Sequence, residues 1–144
     1  VVTQNIDGLH QKAGSQNVLE LHGSVWRNFC MGCGAPYTVE ELLALREQSP
    51  DSVPRCAHCG AIVKPDVVLY EEPLDDATVT AAVRAIASAD LLVIAGTSLA
   101  VYPAAGLIDY FSGDHLAIIN RTPTPRDAHA DLCIPANVGE VLGY

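Results

Sequence analysis

Two cysteine pairs, Cys30-Met31-Gly32-Cys33-Gly34 and Cys56-Ala57-His58-Cys59-Gly60, constrain this chain more than any other feature. Two thiolates set two residues apart can grip one ion, and the glycine after each second cysteine permits the positive φ that turns backbone N–H groups towards sulfur. Residues 34–55 separate the pairs, slightly more than the commonest four-cysteine spacing of about 15–20 residues. A short helix over residues 39–47 is expected to take up the excess, since Thr38-x-x-Glu41 is a capping box and Val39, Leu42 and Leu43 recur at helical spacing. Disulfides or a redox pair are the other uses of such cysteines. A disulfide framework would be odd beside a fifth cysteine, Cys133, which sits alone in an apolar stretch and reads as a buried core residue. With four sulfurs on zinc no position is left for water or substrate, so Cys30, Cys33, Cys56 and Cys59 are expected to fold their module rather than to catalyse. His58, between two ligands, is expected to face solvent.

A chain of 144 residues with 49% hydrophobic content can bury one good core with a small excursion, not two full-sized domains. No apolar run approaches the roughly 20 residues of a membrane span, and no targeting pattern is visible, so the expected location is the cytoplasm without membrane attachment. The formal net charge of -9 argues against binding nucleic acid through its phosphates.

After the second cysteine pair the pattern becomes regular. Val67-Val68-Leu69-Tyr70 reads as a strand, Asp75 or Asp76 as the cap of a helix through Ser88 with Val79, Val83 and Ile86 on its apolar face. Leu91-Leu92-Val93-Ile94-Ala95 is a continuous apolar run, as expected of a strand buried on both sides of a parallel sheet. It ends in Gly96-Thr97-Ser98. Pro103 favours the first turn of a helix through Phe111, and the strand Leu116–Ile119 follows, ending at Asn120. Gly96 would let backbone approach a ligand, with Thr97 and Ser98 offering hydroxyls and N–H groups to phosphate or ribose; a plain turn is the other reading, as G-x-G-x-x-G is absent.

At the other end, Thr3-Gln4-Asn5-Ile6-Asp7-Gly8 and Val18-Leu19-Glu20-Leu21-His22-Gly23 each run from a short apolar strand straight into polar groups and a glycine. Ligands of parallel α/β sheets sit at such strand ends. Gln4, Asn5, Asp7 and His22 are therefore expected to converge on one small molecule, with amides to read a carboxamide or ribose, a carboxylate to accept, and an imidazole to move a proton. His10, His115 and His129 carry no such signal.

Gln4-Asn5-Ile6-Asp7, Leu21-His22-Gly23-Ser24, the two cysteine pairs and Gly96-Thr97-Ser98 stand in the order found in the sirtuins, and the chain resembles that family, in its bacterial type, from Val1 to about Gly143. The resemblance implies a Rossmann-like parallel α/β sheet with an inserted four-cysteine zinc-ribbon module: residues 1–27 with the catalytic motifs, 28–64 binding zinc, 65–144 binding NAD. It also implies that a glycine-rich NAD loop and a segment with an essential arginine precede Val1, so the chain is expected to be the C-terminal part of a catalytic domain.

The activity the resemblance implies is NAD-dependent removal of acyl, foremost acetyl, groups from lysines of protein or peptide substrates, giving nicotinamide and O-acyl-ADP-ribose. His22 would be the base. Asn5 would hold a ribose hydroxyl or an ordered water, Asp7 with Ile6 the nicotinamide carboxamide, and Gln4 would line the ribose site. Gly96, Thr97, Ser98, Asn120, Arg121, Thr122 and Val138 match the family's adenosine-side contacts, although Arg121 reads equally as a surface charge and Val138 as packing of the last helix. Substrate would add an extended strand to the backbone of Val68, Leu69, Tyr70, Glu71 and Glu72, where many relatives have aromatic-Gly-Glu and this chain departs at Glu71. The rival functions are an ADP-ribosyltransferase using the same cofactor and a zinc-stabilised binding module without catalysis.

Overall fold

A computed structural model describes residues 1–143, which divide into two compact units, Val1–Thr78 and the residues from Val79 onward. In the first unit, β1 (Val2–Thr3) pairs in parallel with β2 (Leu19–Glu20), joined through the short helix α1 (Leu9–Lys12). The chain then enters β3 (Gly23–Cys30), the centre of an antiparallel sheet flanked by β4 (Pro36–Tyr37) and β5 (Val63–Val67). Helix α2 (Val39–Gln48) fills the loop between the cysteine pairs. Its capping box is complete, Thr38 Oγ1 accepting the Glu41 N–H at 3.2 Å and Glu41 Oε2 the Thr38 N–H at 2.7 Å.

The second unit takes in most of α3 (Asp76–Ala87), followed by a parallel sheet of order β6 (Leu91–Ala95), β7 (His115–Ile119), β8 (Leu132–Ile134) and a last short helix, α4 (Val138–Leu142). Asp75 caps α3, its Oδ2 taking the Thr78 N–H at 2.7 Å and hydroxyl at 2.8 Å. Ala82 and Ile86 are the buried positions of α3, and Leu116, Ile118 and Ile119 are buried in β7. Where a helix was expected after Pro103, Ala104–Tyr110 forms a 3₁₀ segment that buries Ala104, Ala105 and Leu107. β6 is not covered on both faces, since Leu91 and Val93 are 55% and 45% exposed. Cys133 is likewise exposed rather than part of a core, on the edge strand β8, its Sγ against the Asp127 carbonyl at 3.6 Å. No helix among the described residues is long and apolar enough to cross a membrane.

Cys30, Cys56 and Val63 form a small core in the cysteine module, with Tyr37, Leu42 and Leu45 packed on it. Leu45, not Leu43, completes the apolar face of α2, and Leu43 stays 45% exposed. Both knuckle glycines have positive φ, 72° at Gly34 and 75° at Gly60. Cys30 Sγ accepts the N–H groups of Gly32 at 3.3 Å and Cys33 at 3.4 Å, and Cys56 Sγ accepts the His58 N–H at 3.4 Å.

The four sulfurs lie within 4.8 Å of one another, Cys30 to Cys59 at 3.4 Å and Cys33 to Cys56 at 3.6 Å. Ligands about 2.3 Å from one tetrahedral zinc stand about 3.8 Å apart, so the cluster fits that ion; disulfide sulfurs would be about 2.05 Å apart. The Tyr37 hydroxyl, 3.2 Å from Cys56 Sγ, pulls that thiol down to about 6. Cys59, drawn down by the Ala61 N–H, is nonetheless pushed up to about 12 by the thiols of Cys30 and Cys33. Four thiols this close cannot all ionise without a cation among them, so metal uptake releases protons.

The strand expected over Val67–Tyr70 lies earlier, at Val63–Val67. Beyond it the chain turns, because the Glu72 carboxylate folds back to accept the Leu69 N–H at 2.8 Å and the Lys64 ammonium at 3.1 Å. Glu71 sits in this turn at φ 72°, a conformation that costs a side chain about 1–2 kcal/mol and glycine nothing of that kind.

Metal analysis is expected to find one zinc per chain, and Cys30→Ser to abolish its retention and expose the Leu42–Leu45 core; zinc-free protein with an intact module would contradict the fit. At Gly23, φ 76°, an added Cβ would lie 1.9 Å from the Asp66 carbonyl oxygen. Gly23→Ala should therefore destabilise the protein by about 2–4 kcal/mol, measured by denaturant unfolding. Glu71→Gly should raise stability by about 0.5 kcal/mol, the relief of left-handed backbone less the extra entropy glycine loses on folding.

Candidate functional site

Parallel pairing of Val2 with Leu19 and Thr3 with Glu20 brings the C-terminal ends of β1 and β2 side by side. Gln4 and His22 are the residues that follow, one after β1 and the other two positions past β2. His22 Nδ1 lies 3.0 Å from the Gln4 carbonyl oxygen. A carbonyl can only accept, so Nδ1 carries the hydrogen and Nε2 of the neutral ring keeps its lone pair. The next residue, Gly23, has the backbone conformation that no other residue accepts without moving Asp66.

The loop after Gln4 is held from both sides. Thr3 Oγ1 accepts the Asn5 N–H at 3.1 Å, the Ile6 carbonyl accepts the Val25 N–H at 3.1 Å, and Asp7 Oδ1 accepts the Leu9 N–H at 2.9 Å, starting α1. Among the described residues the side-chain amides of Gln4 and Asn5 and the second oxygen of Asp7 make no hydrogen bond, and Asn5 and Asp7 are exposed. These are the groups the sequence singles out, and unit 1 gathers them with His22 around one pair of strand ends.

The second unit has its own gathering of chemistry. Gly96, Asn120 and Val138 follow the C-terminal ends of β6, β7 and β8, the ligand-bearing edge of a parallel sheet. Gly96 has φ 62°, and a Cβ there would come 3.5 Å from Val138 Cγ2, so this residue leaves open backbone beside the start of α4. Thr97 Oγ1 accepts the Leu99 N–H at 3.3 Å, and Asn120 Nδ2 donates to the Thr122 carbonyl at 2.8 Å. Ser98, Arg121 and Thr122 are exposed. These residues can present N–H groups, hydroxyls and an amide oxygen to a nucleotide.

In the Val68–Glu72 segment three backbone donors are already engaged: the Val68 N–H goes to the His22 carbonyl at 3.0 Å, the Leu69 N–H to the Glu72 carboxylate at 2.8 Å and the Glu72 N–H to the Leu69 carbonyl at 3.1 Å. Tyr70 is fully exposed.

Three residues escaped sequence reasoning. Tyr37 bonds Cys56 Sγ and accepts the Ala57 N–H at 3.2 Å, a cap on the sulfur cluster whose only sequence signal is an aromatic four residues past Cys33. Arg27 bridges Glu20 at 2.7 Å and Asp66 at 2.9 Å. Trp26 donates its indole N–H to the Asp7 carbonyl at 2.7 Å. All three depend on pairings between distant residues.

Known proteins match this arrangement. The Sir2 family model covers residues 1–103. An NAD-dependent protein deacetylase of Clostridium perfringens is 57% identical over 144 residues, 99% of this chain and 57% of that protein. Its namesake in Clostridium acetobutylicum is 56% identical over 142 residues, again 99% of this chain and 56% of the relative. The chain thus spans a little over half the length of these curated relatives. Among solved structures, Sir2 bound to an acetylated peptide superposes with a TM-score of 0.92 at 40% identity, over 97% of this chain and 59% of that one. Sir2 with a p53 peptide and NAD+ gives 0.91 at 41% identity, over 97% and 58%. The chain belongs to the Sir2 family.

Proposed function

We propose that the protein removes acyl groups from protein lysines with NAD as co-substrate, releasing nicotinamide and O-acyl-ADP-ribose. The observation that carries this reading is the His22–Gln4 bond, which occupies Nδ1 and leaves Nε2 as the ring nitrogen free to act, near polar side chains without partners among the described residues. Relatives named deacetylases, and Sir2 structures solved with acetylated and propionylated peptides, support it.

When bound, NAD supplies an electrophilic ribose carbon and a leaving nicotinamide. His22 Nε2 takes the proton from a ribose hydroxyl, and the Gln4 carbonyl keeps the ring oriented and stabilises the imidazolium through Nδ1–H. Asn5 holds a ribose hydroxyl or an ordered water, Asp7 and Ile6 the carboxamide, and Gln4 lines the ribose site. On the adenosine side Gly96 would give room, and Thr97, Ser98, Asn120, Arg121, Thr122 and Val138 would supply the contacts. Zinc on Cys30, Cys33, Cys56 and Cys59 has a closed shell and serves as scaffold. In this reading 1–27 carries catalysis, 28–64 the metal and 65–144 the nucleotide, in a cytoplasmic protein. An acylated peptide adds as a strand at Val68–Glu72 once the Leu69 N–H leaves the Glu72 carboxylate for the incoming backbone.

Mass spectrometry of an acetyl-lysine peptide incubated with NAD and the complete protein tests the reaction. Deacetylated peptide with O-acetyl-ADP-ribose supports it; ADP-ribose transferred to protein without deacetylation would replace it with the transferase. His22→Ala is expected to lower turnover about 10²- to 10⁴-fold while NAD affinity, read by calorimetry, stays within about twofold. Retention of half the activity would assign the base elsewhere.

A further inference from the structure

We infer that Trp26 is a positioning residue for the Asn5–Gly8 loop, a role resting on the reading that this loop faces the nicotinamide half of NAD. The pairing of β3 with β5 is interrupted between Ser24, opposite Asp66, and Asn28, opposite Pro65. Val25, Trp26 and Arg27 have no ladder partner on β5 and bulge out of the pairing. Buried Ser24 fixes the bulge from within, its Oγ accepting the Trp26 N–H at 3.2 Å.

The bulge throws the indole onto the loop. Its N–H is given to the Asp7 carbonyl at 2.7 Å, and a Cβ on Gly8, φ 70°, would come within 2.9 Å of ring atoms Cδ1 and Nε1. Val25 bonds the Ile6 carbonyl next door. The two peptide groups flanking the Asp7 side chain are thus set from β3, while Asp7 Oδ1 is occupied by the Leu9 N–H and only its second oxygen faces outward. Trp26 remains 60% exposed. A side chain of that size kept in water contributes little core burial, and its one donor is spent on the backbone of the loop.

Trp26→Phe keeps a ring over Gly8 without the donor, and Trp26→Ala removes both. Hydrogen exchange on the chain itself should show the Leu9 amide opening about 10-fold faster in Trp26→Ala, the loss of roughly one net hydrogen bond, with zinc content unchanged. In the complete protein, KM for NAD should rise about 5- to 10-fold, as expected for about 1 kcal/mol of lost preorganisation. KM for the acetyl peptide should stay within about twofold, and Trp26→Phe should lie between wild type and Trp26→Ala on both readouts. Unchanged Leu9 exchange, or KM values for NAD and peptide rising together, would overturn the assignment. Should Trp26→Ala lose its zinc and fold, Trp26→Phe alone decides by the same two measurements. A wild-type protein without deacylase activity would sink the proposed function, whereas the exchange result would still judge the contact between Trp26 and the loop.

Discussion

Pairing of β3 with β5 holds the first unit together, because β3 begins at Gly23, immediately after His22, and ends at Cys30, the first cysteine of the sulfur cluster. One strand therefore ties the position of the imidazole to the folding of the cysteine module. At its near end the close approach of Gly23 to Asp66 fixes the direction in which the chain leaves His22, and the Val68 N–H closes the ladder on the His22 carbonyl at 3.0 Å. At its far end Cys30 pairs with Val63 in the core of the module. That core is small, and an ion that binds four sulfurs supplies what so few apolar residues cannot.

Between the two ends lies the bulge, which serves the paired strands β1 and β2. Arg27 reaches from it to Glu20, whose side chain is 6% exposed, and to Asp66. Partial burial pulls the guanidinium down, and the bonds from Glu20 and Asp66 outweigh it, so Arg27 titrates above its ordinary range. Leaving Glu20 buried without its partner would cost more than the pair contributes when made, so Arg27 acts chiefly to permit a carboxylate beside the His22 strand. Trp26 and Arg27 are neighbours in sequence that reach different elements, Trp26 the loop after β1 and Arg27 the end of β2.

What was legible in the sequence was local. The capping box at Thr38 and Glu41 needs only residues three apart, and it appears as expected. The knuckle glycines and the strand ends at Gln4, His22, Gly96 and Asn120 are likewise written into short stretches whose backbone demands are specific. The bulge was illegible because it is a register shift between two strands distant in sequence, and nothing near Trp26 announces it. The β-branched run at Val67 and Val68 suggested a strand reaching Tyr70, but a carboxylate reaching back from Glu72 takes the N–H that such a strand would have offered. Exposure was misjudged at Leu91, Val93 and Cys133 because an apolar stretch shows what could be buried, not which neighbours arrive to cover it.

The turn at Glu71 shows how a departure from a family pattern can carry physical meaning. Where the family resemblance leads one to expect glycine, this chain places a side chain on left-handed backbone, with φ 72° at Glu71. The conformation persists because Lys64 and the Leu69 N–H both bind the Glu72 carboxylate, and Lys64 also reaches the Val67 carbonyl at 2.7 Å. These bonds hold the Glu72 carboxyl below its usual range, the Leu69 N–H foremost and Lys64 second. A depressed folded-state pKa means stabilisation present above the unfolded value and lost as pH falls through the folded one, so the turn is closed at neutral pH and loosens only in acid. While the turn is closed, the Glu72 carboxylate occupies the Leu69 N–H that an edge strand would otherwise offer.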